Sequence, residues 1–191
     1  MKTKHLVIFI AVLLMVISCS NNRTTTPPSA ILNLNISTLE VGPAGGIIFY
    51  DKGYVSDGWR YLEAAPSDSE FTAQWGSWGH EVAETQLSVG SGRRNTELIV
   101  ERLTQLEETD KAAQISHDLS INGFNDWFLP SRDELNLMFQ NRYIVGGFSS
   151  GWYMSSSHGT ATDAWVQNFT NGMQGINSKN FIYRVRAIRA F

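Results

Sequence analysis

The stretch NGFNDWFLPSRDELNLMF, residues 122–139, carries the strongest local structural signals in the chain. Its apolar run ends at Pro130, and Ser131 is followed three residues later by Glu134, which is a capping-box pattern. These signals predict a helix that opens at Ser131 and runs to about Asn141. The apolar face of this helix is expected to consist of Leu135, Met138 and Phe139.

Upstream of this stretch, the sequence predicts two more helices. Residues 95–108 carry apolar side chains at helical spacing, and Asn95 is a plausible N-cap. The apolar positions are Leu98, Ile99, Leu103 and Leu106. Residues 110–119 are consistent with a second, shorter helix.

The start of the domain has the pattern of an antiparallel strand pair. Residues 45–51 (GGIIFYD) form a short apolar run bounded by turn residues, which is typical of a buried strand. Residues 58–65 (GWRYLEAA) are the expected antiparallel partner strand, in which Trp59, Tyr61 and Glu63 alternate with Arg60, Leu62 and Ala64.

The last third of the chain returns to strand patterns. Residues 152–156 and 163–169 are candidate strands, and Asn171-Gly172 is a strong two-residue hairpin signal. In residues 181–191 (FIYRVRAIRAF), Tyr183, Val185 and Ala187 alternate with Arg184, Arg186 and Ile188, which predicts a closing strand. Strands first, helices in the middle and strands last indicate an α+β fold in which the terminal strands pair.

The N-terminus has the features of a lipoprotein signal peptide. Lysines at positions 2 and 4 precede an apolar run over residues 6–17, which is shorter than the roughly 20 residues of a membrane-spanning helix. Val16-Ile17-Ser18-Cys19 then matches a lipobox, so Cys19 is the predicted lipidation site; the alternative is a plain signal peptide with a chance cysteine. The predicted organisation is a signal peptide at 1–18, a lipidated cysteine and polar tether at 19–40, and one domain at 41–191.

Charge and cysteine content exclude several classes of protein. Cys19 is the only cysteine, so the exported domain forms no disulfide within the chain. Loss of the two N-terminal lysines leaves thirteen basic against eighteen acidic residues, a formal charge of −5. A mildly acidic surface is a poor match for nucleic acid, whose phosphates require a basic face.

The residue patterns of common enzyme and metal sites are missing from the sequence. No CxxC, HExxH or phosphate-binding glycine motif occurs, and His80, His117 and His158 each stand alone. Asp133 and Glu134 could form a carboxylate pair, but the first turn of a capped helix explains them more simply. The sequence therefore predicts a non-catalytic protein without a cofactor or a metal site.

Several ordered motifs resemble one known family. They are GPAGGIIFYDKG, GWRYLEAAPSD, NGFNDWFLPSRDELNLMF, WYMSSS and the closing VRAIRAF, and together they span roughly residues 42–191. The pattern resembles the Lcl C-terminal domain, which is found at the end of bacterial collagen-like adhesins. The resemblance implies a single C-type-lectin-like domain with antiparallel strands, two main helices and a loop-rich second half.

The resemblance also implies a ligand on the loop-rich half, and in the adhesins this ligand is a sulfated glycan. Two features depart from this pattern. The chain lacks the Glu-Pro-Asn and Trp-Asn-Asp sets of calcium-dependent lectins, and Asn125-Asp126 is better explained as a turn. The collagen-like stalk is also missing, so trimerisation through a stalk is not implied.

Short polar side chains are dense between Ser155 and Asn180, and we expect the ligand surface there. Ordinary solvated hairpin loops have a similar composition, so both interpretations stay open. The candidate ligand-binding residues are Ser157, His158, Asn168, Asn171, Gln174 and Asn177. The second choice is the set Trp75, Trp78, Arg93 and Arg94.

The remaining tryptophans and arginines have simpler structural explanations. Four tryptophans lie in apolar strand-like contexts and are expected in the core: Trp59, Trp127, Trp152 and Trp165. Arg184, Arg186 and Arg189 would form a basic stripe, but pairing with the many carboxylates is the preferred interpretation.

These observations predict a membrane-anchored, adhesin-like lipoprotein of the bacterial envelope that binds a glycan or a host or envelope protein. The alternative is a structural or envelope-assembly lipoprotein that contacts only other proteins. In both cases the lipid on Cys19 provides the attachment to the membrane.

Overall fold

A computed structural model describes residues 40–191. The predicted signal peptide, Cys19 and all of the tether except Glu40 lie outside the described residues. The helices are α1 (Gly92–Gln105), α2 (Ala112–His117), α3 (Arg132–Gln140) and α4 (Arg142–Val145). The strands are β1 (Ile47–Ser56), β2 (Trp59–Ala64), β3 (Phe71–Gln74), β4 (Trp152–His158), β5 (Asp163–Asn168), β6 (Gln174–Ser178), β7 (Ile182–Val185) and β8 (Ile188–Ala190).

The smaller sheet joins the two ends of the domain in the order β1-β2-β8. β1 and β2 form the predicted antiparallel hairpin, closed by Asp57 and Gly58, whose φ angles of 53° and 80° match the two-residue turn that twisted hairpins favour. β8 pairs antiparallel with β2. The terminal strands therefore meet as predicted, with β2 as the strand that receives the C-terminus.

The larger sheet has the order β3-β7-β4-β5-β6. Its pairs are antiparallel except β4 with β7, which is parallel, so this sheet is mixed. The prediction of one closing strand over residues 181–191 is wrong, because the chain leaves the larger sheet after Val185 and enters the smaller sheet at Ile188. At the crossing, the buried guanidinium of Arg186 donates to the carbonyl of Ala65, and the Ala65 N–H donates to the carbonyl of Ala187.

The helices confirm most of the sequence predictions. The capping box of α3 is present: Ser131 Oγ accepts from the Glu134 N–H at 3.2 Å, and Glu134 Oε2 accepts from the Ser131 N–H at 2.7 Å. The predicted N-cap Asn95 is wrong, because α1 begins earlier, at Gly92. Asn95 is buried instead, and its amide bonds the backbone N–H and carbonyl of Gln86.

Two main hydrophobic clusters pack the helices against the two sheets. One combines α1 and α2 with the larger sheet and includes Trp75, Leu103 and Met154. The other places α3 between the two sheets and includes Leu62 and Leu135. Among residues 40–191, no helix has both the length and the apolar content required to cross a bilayer.

The tryptophans only partly follow the prediction. Trp127 is buried, with 2% of its surface exposed, and packs with small residues in a third cluster. The other three expected core tryptophans are only partly buried. Trp75, which the sequence left open, is fully buried, and Trp78 is exposed.

Residues 40–191 thus form a mixed helix-and-strand domain with one antiparallel sheet, one mixed sheet and four helices. The helix and strand content agrees with the α+β prediction at this coarse level. The two longest helices are α1 and α3. The finer C-type-lectin-like arrangement stays a prediction.

Candidate ligand-binding site

The six predicted ligand residues do not lie together in the structure. Asn168 pairs near the start of β4, whereas His158 lies at the other end of that strand. Ser157 therefore lies beside His158, and Asn171 lies in the turn that follows Asn168. The predicted set is divided between two ends of the larger sheet.

Ser157 is buried and its hydroxyl is already used. Its Oγ donates to the Gln86 carbonyl at 2.8 Å and accepts from the Arg132 N–H at 2.9 Å. A ligand at Ser157 would have to displace both hydrogen bonds, which join the loop before α1 to the start of α3.

The imidazole of His158 is occupied by a contact with the carboxylate of Glu81 and is not free for a ligand. Its Nε2 is within hydrogen-bonding distance of a carboxylate oxygen of Glu81, and its Nδ1 is buried without a partner among the described residues. Burial lowers the pKa of His158 below 6.5, and the carboxylate of Glu81 opposes this effect only in part. The ring is therefore neutral near pH 7 and donates Nε2–H to Glu81.

Asn168 and Asn171 shape the turn between β5 and β6. Asn168 Oδ1 accepts from the Thr170 N–H at 2.8 Å, and Asn171 Oδ1 accepts from the Met173 N–H at 3.0 Å. The predicted two-residue hairpin is wrong, because the connection spans residues 169–173 and only Gly172 of the predicted pair has a positive φ. Both asparagine oxygens thus stabilise their own backbone.

Gln174 and Asn177 lie on opposite faces of β6, since alternate residues of a strand point to opposite sides. Gln174 Nε2 donates to the Arg132 carbonyl at 3.1 Å, so this amide fastens β6 to α3. Asn177 Oδ1 accepts from the adjacent Ser178 N–H. Five of the six predicted side chains thus form hydrogen bonds with the backbone of the chain itself, and ligand binding by this region stays a prediction.

A surface hollow of about 380 Å³ lies beside the β5–β6 turn, and we call it the loop hollow. It is bounded by α4, by the glycine-rich loop of residues 146–151 and by the turn itself. The lining residues are Arg142, Tyr143, Gly146, Gly147, Phe148, Ser149, Ser150, Phe169 and Thr170. The hollow thus combines aromatic rings, hydroxyl groups and one cation.

An aromatic cluster supports the loop hollow from below. The Phe169 ring lies 4.7 Å from the Phe148 ring and 4.3 Å from the Tyr153 ring, measured between centroids. Phe139 of α3 adds an edge-to-face contact with Phe169 at 5.4 Å. Rings packed at these separations gain stability beyond their buried area, so the floor of the hollow is well supported.

A buried polar network holds the glycine-rich loop in place. The Tyr153 hydroxyl donates to the carboxylate of Glu70 and accepts from the Ser149 N–H at 2.9 Å. Arg186 Nη2 donates to Glu70 at 2.8 Å and to the Gly147 carbonyl at 2.9 Å. Burial raises the pKa of Tyr153 to about 12, so its hydroxyl stays protonated and keeps both bonds.

The rim of the hollow presents an exposed ring beside a guanidinium. Tyr143 is 84% exposed, and the Arg142 guanidinium lies 4.3 Å from its ring centroid and 4.1 Å from that of Phe139. Arg142 Nη1 donates to the Phe139 carbonyl and Nη2 donates to the Tyr143 hydroxyl, both at 3.0 Å. These contacts fix the direction of the guanidinium before any ligand arrives.

The chemistry of the hollow suits binding rather than catalysis. Its nine lining residues include no His, Asp, Glu, Lys or Cys, which are the side chains most often used as general bases or reactive nucleophiles. They provide stacking surfaces, hydroxyl donors and acceptors, and a guanidinium. Such groups can orient a small polar ligand without reacting with it.

The sequence missed most of this site. The predicted interval between Ser155 and Asn180 contributes only Phe169 and Thr170, and the other lining residues precede β4. The available signal was the segment GGFSSG at residues 146–151, which follows Arg142-Tyr143 after two apolar residues. A glycine-rich segment between a helix and a strand is typical of a loop that approaches a ligand.

The second-choice residues are also dispersed. Trp75 is buried, and its indole N–H donates to the Ser155 carbonyl at 2.9 Å, whereas Trp78 lies exposed in a turn. Arg93 and Arg94 line a different and smaller hollow of about 200 Å³ together with Trp59. The arginine prediction at the C-terminus is confirmed for its buried members, since Arg186 pairs with Glu70, and Arg189 pairs with Glu63 and Asp126.

No family model and no curated protein matches this chain. Among solved structures, a fimbrial protein from Bacteroides ovatus ATCC 8483 is similar, with a TM-score of 0.53 and 14% sequence identity. The match covers 76% of this chain and 44% of the fimbrial protein, so this chain spans less than half of that protein's length. Likeness at this identity concerns the fold alone, and nothing in these comparisons confirms the resemblance to the Lcl C-terminal domain.

Proposed function

We propose that this chain is an exported, lipid-anchored binding module of the bacterial envelope that holds a glycan in the loop hollow. The observation that carries the proposal is the lining of the hollow. It combines an exposed ring, a fixed guanidinium and three hydroxyl side chains, and it has no acid–base pair.

The shape and chemistry of the hollow favour a sugar as ligand. Its volume of about 380 Å³ falls within the roughly 300–1,000 Å³ of small-molecule sites. The apolar face of a sugar ring can lie on Tyr143, whose ring is rigid and exposed. The sugar hydroxyls would then reach Ser149, Ser150 and Thr170 at the edge of the hollow.

The envelope location is supported by two independent features. The lipobox at residues 16–19 would attach the mature chain to a membrane through two or more acyl chains, which is enough for durable anchoring. The fold is shared with a fimbrial protein, and this analogy of fold supports a surface role without identifying a ligand.

A second candidate is an envelope-assembly protein that contacts only other proteins. Phe181 and Ile182 favour it, because they are adjacent, more than half exposed and apolar. Exposed apolar side chains of this kind are common where proteins associate, although two residues form a small patch.

The test is an array of glycans and of host and envelope proteins, probed with a soluble chain that begins at Ser20. We expect binding to glycans, and we expect Tyr143→Ala to weaken it at least about tenfold, since truncating an aromatic residue that carries a large share of the binding energy costs about 2 kcal/mol or more. Tyr54→Ala is the matched control, because Tyr54 is also an exposed tyrosine but lies on β1.

Two outcomes would contradict the proposal. Signals confined to proteins and lost in Phe181→Ser would favour the envelope-assembly alternative. Glycan binding that survives Tyr143→Ala in a folded variant would place the glycan site outside the loop hollow.

A further inference from the structure

Arg142 differs from most arginines of the domain in its electrostatic surroundings. Of the nine arginines within residues 40–191, seven have a carboxylate oxygen within 4.0 Å, and the exceptions are Arg102 and Arg142. The first 39 residues contain no Asp or Glu, so that part of the chain offers no carboxylate to either arginine.

The surroundings of these two arginines are not equivalent. Arg102 lines a separate hollow that also contains Glu81, Glu84 and Glu101, so acidic side chains surround its charge. Arg142 is the only charged residue among the nine that line the loop hollow. The loop hollow is therefore locally cationic, although the mature chain as a whole is acidic.

The guanidinium of Arg142 keeps free hydrogen-bonding capacity. A guanidinium carries five N–H donors, and the described contacts of Arg142 use one on Nη1 for the Phe139 carbonyl and one on Nη2 for the Tyr143 hydroxyl. Contacts of the guanidinium with the rings of Phe139 and Tyr143 orient the remaining donors. An oriented planar fork with free donors matches a carboxylate, which it can bind through two parallel hydrogen bonds.

We infer that the loop hollow recognises an acidic sugar through its carboxylate, with Arg142 as the residue that binds the anion. The inference rests on the proposed glycan function and adds the chemical class of the ligand. The carboxylate would lie on Arg142 and the sugar ring on Tyr143. Hexuronic acids and sialic acids both carry this chemistry.

The experiment compares sugars that carry a carboxylate with close analogues that carry a neutral group in its place, using the full chain purified in detergent and calorimetric titration. One pair is methyl glucuronide and methyl glucoside, and the other is a methyl sialoside and its methyl ester. We expect the charged member of at least one pair to bind at least about tenfold tighter, since hydrogen bonds to charged groups are the stronger ones. The pair that shows the preference identifies the sugar class.

Variants locate the effect. Arg142→Gln should abolish the preference for the charged sugar, and Arg142→Lys should restore only part of it, because an ammonium keeps the charge but lacks the planar fork. Arg102→Gln is the matched control and should leave the preference unchanged. Thermal melts establish that each variant is folded. If Arg142→Gln does not fold, the partial loss of the preference in Arg142→Lys tests the inference instead.

The outcomes separate the carboxylate inference from the proposed function. Equal binding of charged and neutral sugars, lost in Tyr143→Ala, would overturn the inference and leave glycan binding intact. A preference that survives Arg142→Gln would also overturn it. Binding of the peptide acetyl-Ala-Ala but not of its C-terminal amide, with no sugar bound, would overturn both and point to a peptide carboxylate.

Discussion

Removing the hydroxyl of Tyr153 tests whether the polar network beneath the loop hollow holds the glycine-rich loop. Tyr153→Phe keeps the ring, which packs 4.3 Å from Phe169 and 5.5 Å from Phe148. It removes the donor to Glu70 and the acceptor of the Ser149 N–H. The substitution is therefore specific for two hydrogen bonds and leaves the packing in place.

The expected loss in the free energy of unfolding depends on whether Glu70 and the Ser149 N–H keep other hydrogen-bond partners when the hydroxyl is removed. A hydrogen bond to a charged group contributes about 1.5–3 kcal/mol, but Glu70 keeps its ion pair with Arg186 at 2.8 Å. The Ser149 N–H lies in an exposed loop and can bond to water instead. We therefore expect the free energy of unfolding to fall by about 1–2 kcal/mol. We also expect weaker glycan binding, since residues 146–151 lose one of their anchors.

Urea denaturation measures the stability change, and amide hydrogen exchange at Ser149 measures the loosening of the loop. Tyr183→Phe is the matched control, because the Tyr183 hydroxyl has no hydrogen bond among the described residues, and its free energy of unfolding should change by less than about 0.5 kcal/mol. If Tyr153→Phe matches this control in both measurements, the network does not hold the loop and our reasoning is refuted.

Three further predictions concern anchoring, folding and pH. Cys19→Ser should release the chain from membranes and abolish labelling by a palmitate analogue; label retained in the variant would contradict lipidation at Cys19. Ser131→Ala should lower the free energy of unfolding by about 1–2 kcal/mol, because Ser131 Oγ caps α3 and also donates to the Ser88 carbonyl. Trp127→Ala should lower it by about 3–5 kcal/mol, because the ring of Trp127 is buried. Urea melts check both, and a nearly neutral Trp127→Ala would mean that this ring does not support the core. Burial lowers the pKa of His158 in the folded state below its ordinary value of 6.5. The contribution of the neutral ring to stability is therefore full above pH 6.5. It is lost as the pH falls from 6.5 through the pKa of the folded state, because the unfolded chain binds the proton first. Melts from about pH 7.5 to about pH 5 should show a smaller loss for His158→Gln than for the parent chain, and equal losses would disprove this assignment.

Two local signals in the sequence predicted local structure correctly, whereas the N-cap at Asn95 and the hairpin at Asn171-Gly172 were wrong. The capping box at Ser131 and Glu134 and the β1–β2 hairpin are correct, because each depends on residues close together in the chain. Arg186 and Arg189 pair with carboxylates as expected, although the sequence does not name their partners. Those partners lie more than sixty residues away along the chain.

The sequence could not separate structural polar residues from free ones. Four of the predicted ligand residues have the composition of a binding surface, but their side chains form hydrogen bonds with backbone groups of the chain itself. These residues are Ser157, Asn168, Asn171 and Gln174. Asn95 has the pattern of an N-cap and is a buried residue that fastens the loop before α1. Composition reports the capacity for hydrogen bonds, whereas only the fold determines which of them are satisfied internally.

Local patterns in the sequence predicted most of the longer helices and strands, the cap of α3 and the first hairpin. The lipid attachment at Cys19 stays a prediction. The loop hollow, in contrast, exists only in the tertiary structure. Phe169 and Thr170 meet Arg142 and Tyr143 only because β5 pairs with β4 and α3 packs against both strands. Such pairings join residues far apart in the chain, and no local pattern records which of them will lie in contact.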